Sequence, residues 1–142
     1  MKTIFFFLII IIFPLIQTKE WSYCETTKYP LELSELQVVP DPPIVGKPIE
    51  ITLDGNLTTE IDEGSAYVTV YFNSIKILQI QENLCSLPGF SCPIKVGKLT
   101  INLDEPLPAY VPAGEYSGQI ELVGDNSLEI LCINYDIHID PN

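Results

Sequence analysis

The sequence predicts an all-β domain, an immunoglobulin-like two-sheet β-sandwich of about seven antiparallel strands. Three observations lead there. Short segments alternate apolar and polar residues at period two, as half-buried strands do. Pro and Gly clusters separate those segments at near-regular spacing, and no stretch carries a convincing helical period. Four cysteines sit in a chain of 142 residues, an even count suited to a disulfide framework.

Before the strands comes a leader. Lys2 is followed by an almost unbroken apolar run from Ile4 to Leu15, with polar residues from Gln17 to Glu20. That run has the length of a signal-peptide core and is too short to span a bilayer comfortably. Residues 1–18 are therefore expected to be removed and residues 19–142 to form one soluble exported domain.

Within that domain Leu33–Val39 reads as the first strand, stopped by Pro40-Asp-Pro-Pro43. Ile49–Leu53 follows, with Asp54-Gly55 marking its end. Ala66–Asn73 puts Val68, Val70 and Phe72 on one face and Tyr67, Thr69 and Tyr71 on the other. A tight Asn73-Ser74 corner leads into Ile75–Gln81. Leu99, Ile101 and Leu103 alternate with Thr100 and Asn102. Tyr116–Val123 and Leu128–Asp140 are joined by Gly124-Asp-Asn-Ser127, a good hairpin turn. On the last strand Leu131, Ile133, Tyr135, Ile137 and Ile139 share a face, so Cys132 should point away from the apolar interior. Trp21, the single tryptophan, falls outside these strands.

Charge excludes some functions. Seven Lys, no Arg and nineteen carboxylates give a net charge of −12, and nucleic-acid binding would need a basic face for the phosphates. The same charge opposes strong adsorption to anionic membranes, so membrane contact is expected to be transient. Recognised catalytic motifs are missing: no G-x-S-x-G elbow, H-E-x-x-H pair, phosphate loop or dinucleotide fingerprint occurs. His138 lies on the polar face of the last strand and reads as solvated. The pairs Asp62-Glu63 and Asp104-Glu105 read as acidic surface. No catalytic residue, metal site or cofactor is expected. Asn56-Leu-Thr58 is a glycosylation sequon in an expected loop after Gly55.

The four cysteines, Cys24, Cys85, Cys92 and Cys132, allow three pairings. The turn-rich Ser-Leu-Pro-Gly-Phe-Ser between Cys85 and Cys92 makes local pairing the economical choice, leaving Cys24 with Cys132. A zinc site is the competing reading, but the C-x6-C spacing and a lone His suit it poorly.

Gly64-Ser-Ala-Tyr-Val-Thr-Val, Asn83-Leu-Cys85, Ser91-Cys-Pro-Ile94 with Gly97, Val111-Pro-Ala-Gly-Glu-Tyr116 and Leu131-Cys132-Ile133 occur in an order that resembles the ML lipid-recognition family. Within it the chain is most similar to secreted phosphatidylglycerol/phosphatidylinositol transfer proteins, and also to the soluble Niemann-Pick type C cholesterol carrier. The resemblance covers nearly all of the mature chain. It implies a sandwich with a lipid cavity between its sheets, and the same pairing, Cys24–Cys132 and Cys85–Cys92. It implies a lipid ligand, phospholipid or sterol, and residence outside the cell or in the endo-lysosomal lumen. By alignment Ile77, eight residues before Cys85, is a lining residue, and Leu107 and Tyr110 fall near the entrance. Val70, Phe72, Ile120 and Ile133 are expected on the inner walls. Phe90 is a candidate membrane-touching residue, and a monomer is expected. The alternative is a secreted interaction module with a solid core, binding protein or carbohydrate through an outer face carrying Tyr67 and Tyr71.

Overall fold

In the structure, a computed structural model, residues 21–142 are described; the expected leader, residues 1–18, lies outside them. Among the described residues there are eight strands: β1 (Trp21–Tyr23), β2 (Leu31–Val39), β3 (Ile49–Leu57), β4 (Gly64–Phe72), β5 (Ile75–Asn83), β6 (Gly97–Glu105), β7 (Gly114–Gly124) and β8 (Glu129–Ile139). One sheet has the order β1-β8-β7-β4-β5 and the other β2-β3-β6. All strand pairs are antiparallel. The two inner faces share one apolar core, as aligned sandwiches do. Among the described residues no helix is long and apolar enough to cross a membrane.

The eighth strand is a correction. Trp21 belongs to β1, pairs with Tyr135 and is buried in the core. Three residues carry too little periodicity to be recognised as a strand in the sequence; pairing with β8 makes them one. A second correction concerns β3, which does not stop at Asp54-Gly55 but continues to Leu57. Gly55 lies where a Cβ would stand 2.6 Å from the Glu32 carbonyl oxygen, so this glycine answers close strand approach, not a turn. Asn56 is consequently on a strand, with an exposed side chain, and not in a loop.

The corners follow their residues. Asn73 and Ser74 both have positive φ, 49° and 66°, the backbone that a two-residue hairpin of primed type requires. Asn126 and Ser127 adopt the same region between β7 and β8.

Topology defines two ends of the sandwich. One gathers the starts of β2, β4, β6 and β8 and the ends of β3, β5 and β7. Cys24–Cys132 and Cys85–Cys92 are both formed, with Cα separations of 5.4 and 5.3 Å, and both serve this end. An Ile61–Ile94 bridge joins it further. The opposite end holds the Asn73-Ser74 corner and the connections 40–48 and 106–113. These two connections lie side by side, for a Cβ at Gly46 would meet Ala109 at 3.5 Å.

Candidate functional site: the space between the sheets

One long edge of the sandwich is closed. Backbones of the two sheets approach chiefly along β2 and β8, and the Tyr23 hydroxyl on β1 accepts the Leu33 N–H of β2 at 3.1 Å. Cys132 lies on the outward face of β8, between exposed Asn134 and the side opposite Glu121. It is nevertheless buried, because Cys24 covers it; Gln119 Nε2 donates to Cys24 Sγ at 3.6 Å.

The other edge is different. Val70, Val68 and Ala66 of β4 are buried, yet their partners on β5, Leu78, Ile80 and Glu82, are only half-buried. On β6, which edges the other sheet, Leu99 is half-buried as well. The apolar interior therefore reaches solvent along β5, on the side remote from the disulfide-bonded β1–β8 pair.

The expected wall residues divide into two groups. Val70, Ile120 and Ile133 are buried in the core, and Leu107 is buried in the 106–113 connection. Phe72, expected on the inner wall, is 45% exposed at the end of β4, its ring 5.4 Å from that of Tyr116. The strand ends there. Ile77 is 39% exposed. The β4–β5 register slips between Val70 and Tyr71, so Ile77 is the extra residue of a bulge and Leu78 takes the place opposite Val70. Spacing from Cys85 cannot register such an insertion. Tyr110 is 76% exposed beside buried Leu107 and Val111. Phe90 is half-buried against the core at the disulfide-bonded end, and not a free loop aromatic.

Glu105 was hidden in what reads as an acidic surface pair. The structure corrects this: β6 extends to Glu105, whose side chain falls on the inward row with Ile101 and Leu103 and is 2% exposed. The signal was present, since continuing the Leu99–Ile101–Leu103 alternation by one step reaches Glu105. Both carboxyl oxygens lack a hydrogen-bond partner. Burial, with Glu82 and Asp104 nearby, pushes its pKa up to about 7. Burial and the charge of Glu105 likewise raise the Tyr135 phenol, so the carboxyl lies within electrostatic reach of β5 and β8 in the facing sheet.

His138 stays on the outer face, half-exposed between Glu115, which is hydrogen-bonded to Nδ1, and Asp140, 3.0 Å from Nε2. A groove of about 700 Å³ of mixed polar and apolar lining runs over Gly55 on the three-stranded sheet, between Glu32, Leu33, Asp54, Asn56, Lys98 and Leu99. Among the described residues no group of three or more His, Cys, Asp or Glu side chains is placed to hold a metal ion.

The family model described as the ML domain matches residues 18–139. The chain belongs to the ML domain family. A relative from Dictyostelium discoideum, named putative phosphatidylglycerol/phosphatidylinositol transfer protein 3, is 34% identical over 137 residues, covering 96% of this chain and 91% of its own. The phosphatidylglycerol/phosphatidylinositol transfer protein of Cryptococcus neoformans is 29% identical, covering 89% of this chain and 74% of that protein. Among solved structures the fold is similar to a Niemann-Pick type C2 protein from Japanese carpenter ant, with a TM-score of 0.68 at 13% identity, covering 84% of this chain and 99% of that one. It is also similar to chicken MD-1 complexed with lipid IVa, with a TM-score of 0.55 at 17% identity, covering 83% and 86%.

Proposed function

We propose that this ML-domain chain is an exported lipid carrier that takes a phospholipid or a sterol between its two sheets and moves it between membranes. The observation that carries this reading is the half-buried inward row of β5, where apolar side chains of the core stand open along one edge. A closed sandwich would cover that row. Family membership over residues 18–139 supports the same reading, as do the transfer-protein names of the relatives.

Physically, acyl-chain burial stabilises a complex by about 0.8 kcal/mol per methylene, so part of one chain suffices. The two disulfides fasten one end and leave the other, with Phe72, Ile75 and Tyr110 exposed, free to separate. Those three side chains suit brief membrane contact, which the net charge of −12 keeps from becoming permanent. The protein works outside the cell or in the endo-lysosomal lumen, as a monomer and without catalysis. Asn56, exposed on β3, carries the glycan in this reading.

The test is direct. Mature protein purified under native conditions is extracted with organic solvent, and the extract is examined by mass spectrometry. Co-purified phospholipid or sterol, together with transfer between donor and acceptor vesicles, is expected. Absence of both would defeat the proposal. The groove over Gly55 supports a second reading, a carbohydrate held against the three-stranded sheet; binding of a soluble glycan without any lipid in the extract would select it.

A further inference from the structure

Among the described residues Glu105 is the only Asp, Glu, Lys or His that is buried. Its surroundings give no reason for a carboxyl there. It continues the inward row of Ile101 and Leu103 and pairs with buried Ile49 on β3. Both of its oxygens are orphaned. Leaving a buried acceptor unmade is costly, and an aliphatic side chain of similar size would avoid the penalty. No cation relieves it: the charges it feels, Glu82 on β5 and Asp104 beside it, are both acidic, and Tyr135 on β8 is affected by it without neutralising it. Such a group has a use only if something that enters the space supplies a donor.

We propose that Glu105 is a specificity-determining residue whose carboxyl receives a hydroxyl group carried by the bound lipid. This rests on the carrier reading above. A hydroxyl suits the site better than an ammonium, because desolvating a neutral donor is far cheaper than desolvating a cation. The carrier then prefers chains bearing a hydroxyl at the depth of Glu105 over plain hydrocarbon of equal length, since only the former satisfies the orphaned oxygens.

The experiment uses mature wild-type protein, E105Q and E105L, with bound dansyl-undecanoate as the reporter. Displacement is measured with stearic acid and with stearic acids hydroxylated at carbon two, ten or twelve, at about pH 5 and about pH 8. Wild type is expected to prefer at least one hydroxylated isomer by about tenfold, a single hydrogen bond's worth. That preference should grow from the acidic to the alkaline condition, as the unpaired carboxylate gains most from a donor. In E105L it should vanish, with plain stearate bound as well as or better than by wild type. Should E105L fail to fold, E105Q decides: it keeps an acceptor, so its preference should persist but no longer change with pH. Equal displacement by every isomer from wild type overturns the proposal, as does a preference that E105L retains or a pH slope that E105Q retains. If neither dansyl-undecanoate nor any hydroxylated or plain stearate binds, this inference is overturned, whereas the carrier reading falls only if lipid extraction and vesicle transfer fail as well.

Discussion

Tyr135 occupies the space that a side chain at Gly118 would need: a Cβ added there would lie 2.2 Å from Tyr135 Cζ and 2.6 Å from both Cε atoms. The two residues are direct partners across β7 and β8, and the ring is buried over the glycine. The pair lets a large aromatic lie low on the inner face of the five-stranded sheet. Room between the sheets then depends on the glycine at position 118 of β7.

Gly118→Ala should therefore be poorly tolerated. The ring must tilt away from β7, and overpacking of this kind costs about 1–3 kcal/mol. Urea unfolding should report that loss. The double variant with Tyr135→Leu should recover most of it, because the clash partner is gone. Equal destabilisation in single and double variants would refute the pairing.

The two disulfides should differ in their effect on stability. Their sequence separations are 108 and 7 residues. On the chain-entropy model the longer loop is worth about 4–5 kcal/mol and the shorter about 2 kcal/mol. Cys24→Ser with Cys132→Ser should lower the unfolding midpoint clearly more than Cys85→Ser with Cys92→Ser. The reverse order would mean that local strand connection matters more than chain entropy.

Glu105 makes stability depend on pH. Its folded pKa is raised from 4.5 to about 7, so the native state binds the proton more tightly than the unfolded chain. The protein is thus unpenalised below about pH 4.5 and loses stability as pH rises through about 7, by an amount on the order of 3 kcal/mol. Glu105→Gln should remove this dependence. Denaturation curves of wild type and variant should lie close below about pH 4.5, separate as pH rises from there to about 7, and stay apart above it, with the variant the more stable.

His138 works in the same direction on the outer face. The hydrogen bond from its ring to Glu115 raises its pKa, aided by the charges of Glu115 and Asp140. Its contribution is present below the ordinary histidine pKa of about 6.5 and is lost as pH rises through the raised folded value. An NMR titration of the imidazole should show the elevated midpoint, and Glu115→Gln should lower it. An unchanged midpoint would discount the contact.

Much of this molecule was legible in its sequence. Period-two alternation identified seven of the eight strands, because a half-buried strand must alternate and each segment was long enough to show it. The hairpin at 124–127 and the Asn73-Ser74 corner were legible from turn chemistry, which is local. Local loop closure likewise pointed to Cys85–Cys92, and the remaining two cysteines had only each other. What escaped were features created by pairing between distant segments. Trp21 became a strand residue only against Tyr135. Gly55 stayed extended because the Glu32 carbonyl crowds it, although the same residue elsewhere makes a turn. A one-residue bulge put Leu78 where Ile77 was expected. Glu105 looks like surface acid from its neighbour Asp104, and only the third dimension turns it into an orphaned carboxyl between the sheets. Sequence alone determined the all-β class, the acidic character and the disulfide framework, since these depend on composition and near-neighbour pattern. Which end the disulfides hold, which edge stays open and which acid is buried were decided by tertiary packing, where burial is set by residues far apart along the chain.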